Sequence, residues 1–111
     1  ECEDQNCCPP FFSYPSCTSD IPCIVIADEK SQFAGRYIDG SMARSLTVNC
    51  NGVESCRESK IQCPLGQTTN NFCNINCKGK SSCKLMDIDA RSNSFSLNCS
   101  SQEACYNMNV V

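Results

Sequence analysis

The residues of this chain with the most evident chemistry are its cysteines, 13 among 111 residues. Their expected chemistry is oxidation to disulfides, because such a density is typical of small secreted chains and cytosolic thiols are kept reduced. A structural zinc site would need Cys-x-x-Cys pairs or histidines, and the chain contains no histidine. The composition therefore predicts a disulfide-rich secreted, extracellular or cell-surface protein without a metal site or a cofactor.

Six of the cysteines form three pairs with one spacing, Cys-x5-Cys. The pairs are Cys50 with Cys56, Cys77 with Cys83, and Cys99 with Cys105. Each pair flanks a five-residue turn, and both members repeat together, so we predict a disulfide within each pair. Closing so short a loop contributes about 2 kcal/mol on the chain-entropy view. Vertical pairing between successive repeats is the alternative.

A fourth pair is indicated by residues that are lost together. Cys63 and Cys73 occupy positions that become Ala90 and Phe95 in the next repeat, where the connecting loop is also shorter. Loss in tandem is what a bonded pair predicts, so we assign a disulfide between Cys63 and Cys73.

The remaining cysteines are N-terminal. Cys17 and Cys23 have the Cys-x5-Cys spacing and form a weaker fifth pair. Cys2, Cys7 and Cys8 are an odd number, so at least one sulfur is free or bonded to another molecule, unless a segment of the chain is missing. An intermolecular link at one of these three cysteines is the more interesting interpretation.

The elements that position these cysteines follow from a threefold internal repeat. Its copies are Leu46–Cys56, Cys73–Cys83 and Phe95–Cys105, spaced 27 and then 22 residues apart. Apolar and polar residues alternate in each copy, which predicts a strand, and a second alternating segment follows each cysteine pair. Strands that recur in one direction at this period, with connections too short for helices, stack as a parallel β-solenoid.

Stacking places equivalent residues in columns about 4.8 Å apart. The predicted inward columns are Val48/Ile75/Leu97, Ile61/Ile88/Val110 and Leu46/Cys73/Phe95. Asn49, Asn76 and Asn98 form a further column, in which stacked amides can bond to one another. The predicted fold is thus all-β, with a small disulfide-rich β-solenoid over residues 46–111.

Residues 1–45 read as an irregular, disulfide-stapled arm or cap. Prolines crowd the first 15 residues and disfavour regular pairing. The β-branched run Ile24–Ile26 predicts a short strand. The spacing of Cys17 and Cys23 indicates a degenerate first coil within this segment.

The sequence offers no expected reaction centre, nucleic-acid site or membrane anchor. Without histidine there is no Ser-His or Cys-His couple, and the carboxylates are scattered, so we do not expect an enzyme. A net charge of −3 disfavours binding to nucleic acid or to an anionic membrane. The chain starts at Glu1-Cys2 without an apolar leader, so we expect that a signal peptide has been removed. Asn98-Cys99-Ser100 is a weak N-glycosylation pattern.

Two stretches have a familiar form. They are Val48-Asn49-Cys50-Asn51-Gly52-x-x-Ser55-Cys56-x4-Ile61-x-Cys63 and Ile75-Asn76-Cys77-Lys78-Gly79-x-x-Ser82-Cys83-x4-Ile88. They resemble cysteine-rich repeats of the form Ile-x-Cys-x-Gly-x-x-Ser-Cys-x4-Ile-x-Cys in secreted and cell-surface proteins of unicellular eukaryotes. The resemblance covers residues 46–111, departs at Ser101, and implies an extracellular β-helical architecture without a known activity.

We expect a structural role, in a filament, fibril or sheath that this chain forms with itself. A solenoid without a cap exposes unpaired strand edges and an apolar interior. The predicted assembly surface consists of Phe11, Phe12, Tyr14, Val110 and Val111. One alternative is a small secreted inhibitor or toxin, with the loop over residues 64–72 or the N-terminal arm as its binding segment. A third is an ice- or glycan-binding solenoid, with glycans as possible partners.

Overall fold

The computed structural model describes residues 22–66, 70–91 and 94–111. Within these ranges the regular structure is strand, without helix. The strands are β1 (Pro22–Ala27), β2 (Tyr37–Asp39), β3 (Ser45–Cys50), β4 (Lys60–Gln62), β5 (Phe72–Cys77), β6 (Asp87–Asp89), β7 (Ser94–Cys99) and β8 (Asn109–Val110).

The strands form two parallel sheets in the orders β1-β3-β5-β7 and β2-β4-β6-β8. Each coil of the chain contributes one long strand to the first sheet and one short strand to the second, with a turn segment between them. Four such coils stack in the described chain. The predicted disulfide-rich parallel β-solenoid is therefore confirmed.

The columns follow from the alternation of apolar and polar residues, because one strand face must be buried. Val48 pairs with Ile75 and Ile75 with Leu97, as the sequence predicts. Ile61, Ile88 and Val110 pair in the same way in the second sheet. The core is thus a stack of equivalent apolar positions between the two sheets.

The solenoid extends further toward the N-terminus than the predicted boundary at residue 46. Strands β1 and β2 pair in parallel register with β3 and β4. Cys23 lies opposite Leu46, so the Cys17 and Cys23 spacing does not align with the later Cys-x5-Cys pairs. Ala27 lies opposite Cys50 and takes the position of the first cysteine of a pair. The first coil is real, but the alignment that suggested it is wrong.

Phe33 takes the position of the second cysteine in this first coil. Its amide N–H donates to the Ser55 carbonyl at 2.7 Å, just as the Cys56 amide donates to the Ser82 carbonyl at 2.8 Å. Phe33 is 1% exposed. An aromatic ring therefore fills the space that a disulfide occupies in later coils.

The turn segments form a third hydrogen-bonded side. On this side, alternate backbone N–H groups donate to the next coil, for example Glu54 to Lys80 at 3.0 Å. Two columns adopt left-handed backbone with positive φ. They are Ser31/Glu54/Ser81/Glu103 and Gly35/Glu58/Leu85/Asn107. Bonds between coils stabilise a conformation that L-residues otherwise disfavour.

Gly52 and Gly79 allow the coils to approach closely where each long strand ends. A Cβ on Gly52 would lie 2.7 Å from the Asp28 carbonyl oxygen, and one on Gly79 would lie 2.6 Å from the Gly52 carbonyl carbon. Real Cβ atoms do not approach backbone so closely, so these positions require glycine.

Candidate functional site: the open C-terminal coil

Four disulfides join two described cysteines each, and they connect pairs that the sequence assigns. They are Cys50–Cys56, Cys63–Cys73, Cys77–Cys83 and Cys99–Cys105. The three Cys-x5-Cys bridges lie within coils and share a Cα–Cα distance of 5.9 Å. They fix the start of the turn segment in the second, third and fourth coils.

The remaining cysteine assignments fall largely outside the described residues. Cys23 is disulfide-bonded and 1% exposed. Its predicted partner Cys17 lies outside the described residues, as do Cys2, Cys7 and Cys8. Phe11, Phe12 and Tyr14 of the predicted assembly surface lie there too.

The two ends of the coil stack differ in exposure. In the first coil, Val25 and Ile38 are 1% and 0% exposed, although no described coil precedes them. In the fourth coil, Val110 occupies the same column as Ile38 and is 43% exposed. The apolar interior is therefore closed to solvent at the first coil and open at the fourth.

The open end combines apolar side chains with unpaired strand edges. Phe95 and Leu97 are only partly buried, and Val111 is 64% exposed. Among the described strands, β7 and β8 each have a single neighbour. We call this surface, formed by the exposed side of residues 94–111, the C-terminal face. It contains the predicted assembly residues Val110 and Val111.

The asparagine column forms the predicted ladder. Asn76 Nδ2 donates to Asn49 Oδ1 at 2.8 Å, and Asn98 Nδ2 donates to Asn76 Oδ1 at 2.8 Å. The ladder has one direction, so Asn98 Oδ1 is the acceptor that faces a further coil. In the first coil Ile26 occupies this column.

Asn98 is also the residue of the glycosylation pattern. Its side chain is exposed, but Nδ2, the atom to which an N-linked sugar would be attached, is the donor to Asn76. A sugar at Asn98 would replace one of the two hydrogens on Nδ2, so the ladder bond would depend on the remaining N–H.

The loop proposed for an inhibitory role is anchored at both described ends. Cys63–Cys73 closes it, and Asn71 Nδ2 donates to the Arg44 carbonyl at 2.9 Å. Leu65 is 57% exposed. Residues 67–69, at its centre, lie outside the described residues.

Charged groups also lie on the outward surface of the second sheet, where sequence reasoning did not predict a site. Arg91 Nε donates to Asp89 Oδ1 at 2.8 Å, and this bond lowers the pKa of the Asp89 carboxyl. Burial, with Asp39 and Asp89 nearby, raises the pKa of Tyr37. In the sequence, the signal for this surface was that Tyr37 and Asp39 flank Ile38, so that an inward Ile38 turns both of them outward.

The described parts of the chain contain neither a cluster that could hold a metal ion nor a helix that could span a membrane. No group of three or more His, Cys, Asp or Glu side chains there is arranged to hold a metal ion. No described helix could cross a membrane.

Comparison with known proteins adds no family to this description. No family profile, curated protein or solved structure matches the chain. The structure shows that the described chain is a cysteine-rich parallel β-solenoid of about four coils, held by several disulfides.

Proposed function

We propose that this chain is an extracellular structural protein, the subunit of a filament or sheath that assembles head to tail through the C-terminal face. The supporting observation is that Val110 is 43% exposed in a column where Ile88 is 2% exposed. An apolar interior beside open strand edges is stabilised when another layer of strands covers it. The disulfide content supports an oxidising, extracellular location.

A second copy of this chain is the proposed partner because the C-terminal face has two edges. A protein that covers it must pair with β7 and β8 at once, and these edges belong to different sheets. A solenoid built on the same two-sheet plan presents strands at the required separation. Among the described strands, β1 and β2 also have a single neighbour each. The first-coil end of one copy is therefore the proposed partner of the C-terminal face of another, and such a heterologous contact generates a fibre when it does not close.

The test compares two lysine substitutions on the oxidised protein. Val110→Lys places a charge in the C-terminal face, whereas Val53→Lys changes a residue of equal type and similar exposure, 45%, in the second coil. Sedimentation velocity over a concentration series and negative-stain electron microscopy measure assembly. We expect the wild-type chain and Val53→Lys to form fibres and Val110→Lys to stay monomeric, because burying an unpaired ammonium is costly.

Three outcomes would overturn the proposal. The first is a wild-type chain that is monomeric at every concentration, and the second is a Val110→Lys variant that assembles normally. The third is a dimer that does not grow, which would indicate a symmetric contact between two C-terminal faces. Far-UV circular dichroism of both variants checks that the solenoid is intact.

A further inference from the structure

The outward surface of the second sheet forms a narrow strip with its own chemistry. Its side chains stand in two columns, read from the strand register. One column is Tyr37/Lys60/Asp87/Asn109 and the other is Asp39/Gln62/Asp89/Val111. All of these residues except Asp39 line a shallow depression that runs along the coil stack. We call this surface the β2-β8 strip.

Tyr37 is the aromatic residue of the strip, and its side chain is 42% exposed. The carboxylates of Asp39 and Asp89 both lie close enough to raise the pKa of its phenol, after the effect of burial itself. The strip therefore places a partly exposed aromatic ring beside hydrogen-bond acceptors.

The polar groups around the ring are held in position. Asp39 Oδ1 accepts a hydrogen bond from the Ser41 amide at 3.0 Å. Asp89 accepts two hydrogen bonds from the Arg91 guanidinium, through both carboxylate oxygens. Side chains already oriented in the free protein lose little conformational entropy when a ligand binds.

The mixture of charges on the strip selects the class of ligand. Three carboxylates stand beside Lys60 and Arg91, so neither sign dominates and a polyanion such as nucleic acid gains little. Val111 is the exposed aliphatic residue of the strip, which disfavours an apolar peptide. After these two classes of ligand are excluded, the strip still offers an aromatic ring among closely spaced hydrogen-bond donors and acceptors along a parallel sheet.

We infer that the β2-β8 strip is a binding site for a neutral oligosaccharide, whose sugar ring stacks on Tyr37 while its hydroxyl groups bond to Asp39, Gln62 and Asp89. The negative face of an aromatic ring favours the polarised C–H groups of a sugar. Carboxylate and amide side chains supply the acceptors and donors that hydroxyl groups require. The side chains proposed to contact the sugar, Tyr37, Asp39, Gln62 and Asp89, lie outside residues 94–111 and so outside the C-terminal face.

The outward surface of the first sheet has a different composition. Its outward positions include Ile24/Thr47/Asn74/Ser96 and Ile26/Asn49/Asn76/Asn98, together with Pro22, Ser45, Phe72 and Ser94. They contain one aromatic ring, Phe72, and no charge. Its second column uses amides to bond to one another rather than to a ligand. Of the two outward sheet surfaces, the β2-β8 strip is therefore the one that combines an aromatic ring with carboxylates.

The test measures binding of named oligosaccharides by isothermal titration calorimetry and by NMR of the ¹⁵N-labelled protein. The probes are neutral hexamers of β-1,4-linked glucose, β-1,4-linked N-acetylglucosamine and α-linked mannose, with an oligogalacturonate hexamer as the anionic comparison. The Val110→Lys background is tested alongside the wild-type chain, so that loss of assembly and loss of binding are scored separately.

We expect at least one neutral hexamer to bind and to shift amide signals of β2, β4 and β6. Tyr37→Ala should weaken binding at least tenfold, whereas Tyr37→Phe, which keeps the ring, should change it less than about threefold. Tyr106→Ala is the matched control, because Tyr106 is also exposed, 54%, but lies in a turn segment. It should leave the affinity unchanged.

The inference is overturned if no neutral hexamer binds at millimolar concentration, or if only the anionic hexamer binds. It is equally overturned if Tyr106→Ala weakens binding as much as Tyr37→Ala does. Fibre formation without sugar binding would reject this inference and keep the assembly proposal, and the reverse result would reject assembly alone.

Discussion

Asn76 donates a side-chain hydrogen bond to Asn49 in the preceding coil and accepts one from Asn98 in the following coil. It is thus the central residue of a directional ladder on the outside of the first sheet. Because each amide has both a donor and an acceptor, a single residue type can continue such a ladder through any number of coils.

Asn76→Ala should remove both bonds and lower the free energy of unfolding by about 1–2 kcal/mol, since a net hydrogen bond contributes about 0.5–1.5 kcal/mol. Asn98→Ala removes one bond and should cost about half as much. Guanidinium denaturation under non-reducing conditions measures both. Asn74→Ala, on the same strand but outside the ladder, is the control, and equal costs for all three would contradict the ladder's contribution.

Gly79→Ala should destabilise the protein by about 2–3 kcal/mol, because the added Cβ meets backbone that has little freedom to move. The carbonyl carbon of Gly52 would lie 2.6 Å from that Cβ. Ser101→Ala is a matched control, since the equivalent position of the fourth coil already has a Cβ. Thermal unfolding followed by circular dichroism gives the comparison, and an unchanged Tm for Gly79→Ala would show that the coils can separate at no cost.

Phe33→Ala should cost about 3 kcal/mol or more, as expected for a large apolar side chain removed from a closed core. The exposed Val53→Ala should stay within about 0.5 kcal/mol of the parent. The double variant Ala27→Cys with Phe33→Cys should recover part of the loss by forming the bridge that later coils contain. Intact mass without reductant detects that bridge, and two alkylatable thiols in the double variant would contradict the alignment of the first coil.

Stepwise reduction should open Cys99–Cys105 before the other three described disulfides. Cys99 is exposed and Cys105 partly buried, whereas both cysteines of each of the other three bridges are 0% exposed. Thiolate attack requires access to a sulfur, so exposure controls the order. Limited treatment with a phosphine, alkylation and peptide mass mapping would show the order. Early labelling at Cys63 or Cys73 would contradict it.

The sequence predicts coils two to four well because three signals agree there. Period-two alternation defines the strands, the repeated cysteine pairs define the turns, and the joint loss of Cys63 and Cys73 identifies a bridge without any geometry. The asparagine column added the register. These signals depend on chemistry that each coil repeats in recognisable residues.

The first coil was misaligned because it preserves volume rather than residue type. Ala27 and Phe33 replace a disulfide with a small residue and a ring, which leaves no cysteine to align. An alignment based on the Cys17 and Cys23 spacing places Cys23 out of register, because Cys23 lies opposite Leu46. The left-handed positions of the turn segments were equally hidden, since residues such as Glu54 and Leu85 give no sequence signal for positive φ.

The β2-β8 strip could not be derived from the sequence because it depends on stacking between coils. Tyr37 and Asp89 are far apart in the chain, and only the parallel register of β2, β4 and β6 brings them to one surface. Sequence periodicity defines which residues face outward, but the pairing of coils decides which outward residues are neighbours.

The local closure of the turn disulfides has a mechanical consequence. A six-residue segment could extend to roughly 20 Å under tension, but Cys50–Cys56 holds its ends 5.9 Å apart. A coil pulled away from the stack would therefore add less extended chain length than its number of residues suggests. Its turn would also keep the conformation in which it packs against the next coil. Single-molecule stretching should show shorter steps in oxidised than in reduced protein, which makes the stack an elastic element that yields one coil at a time.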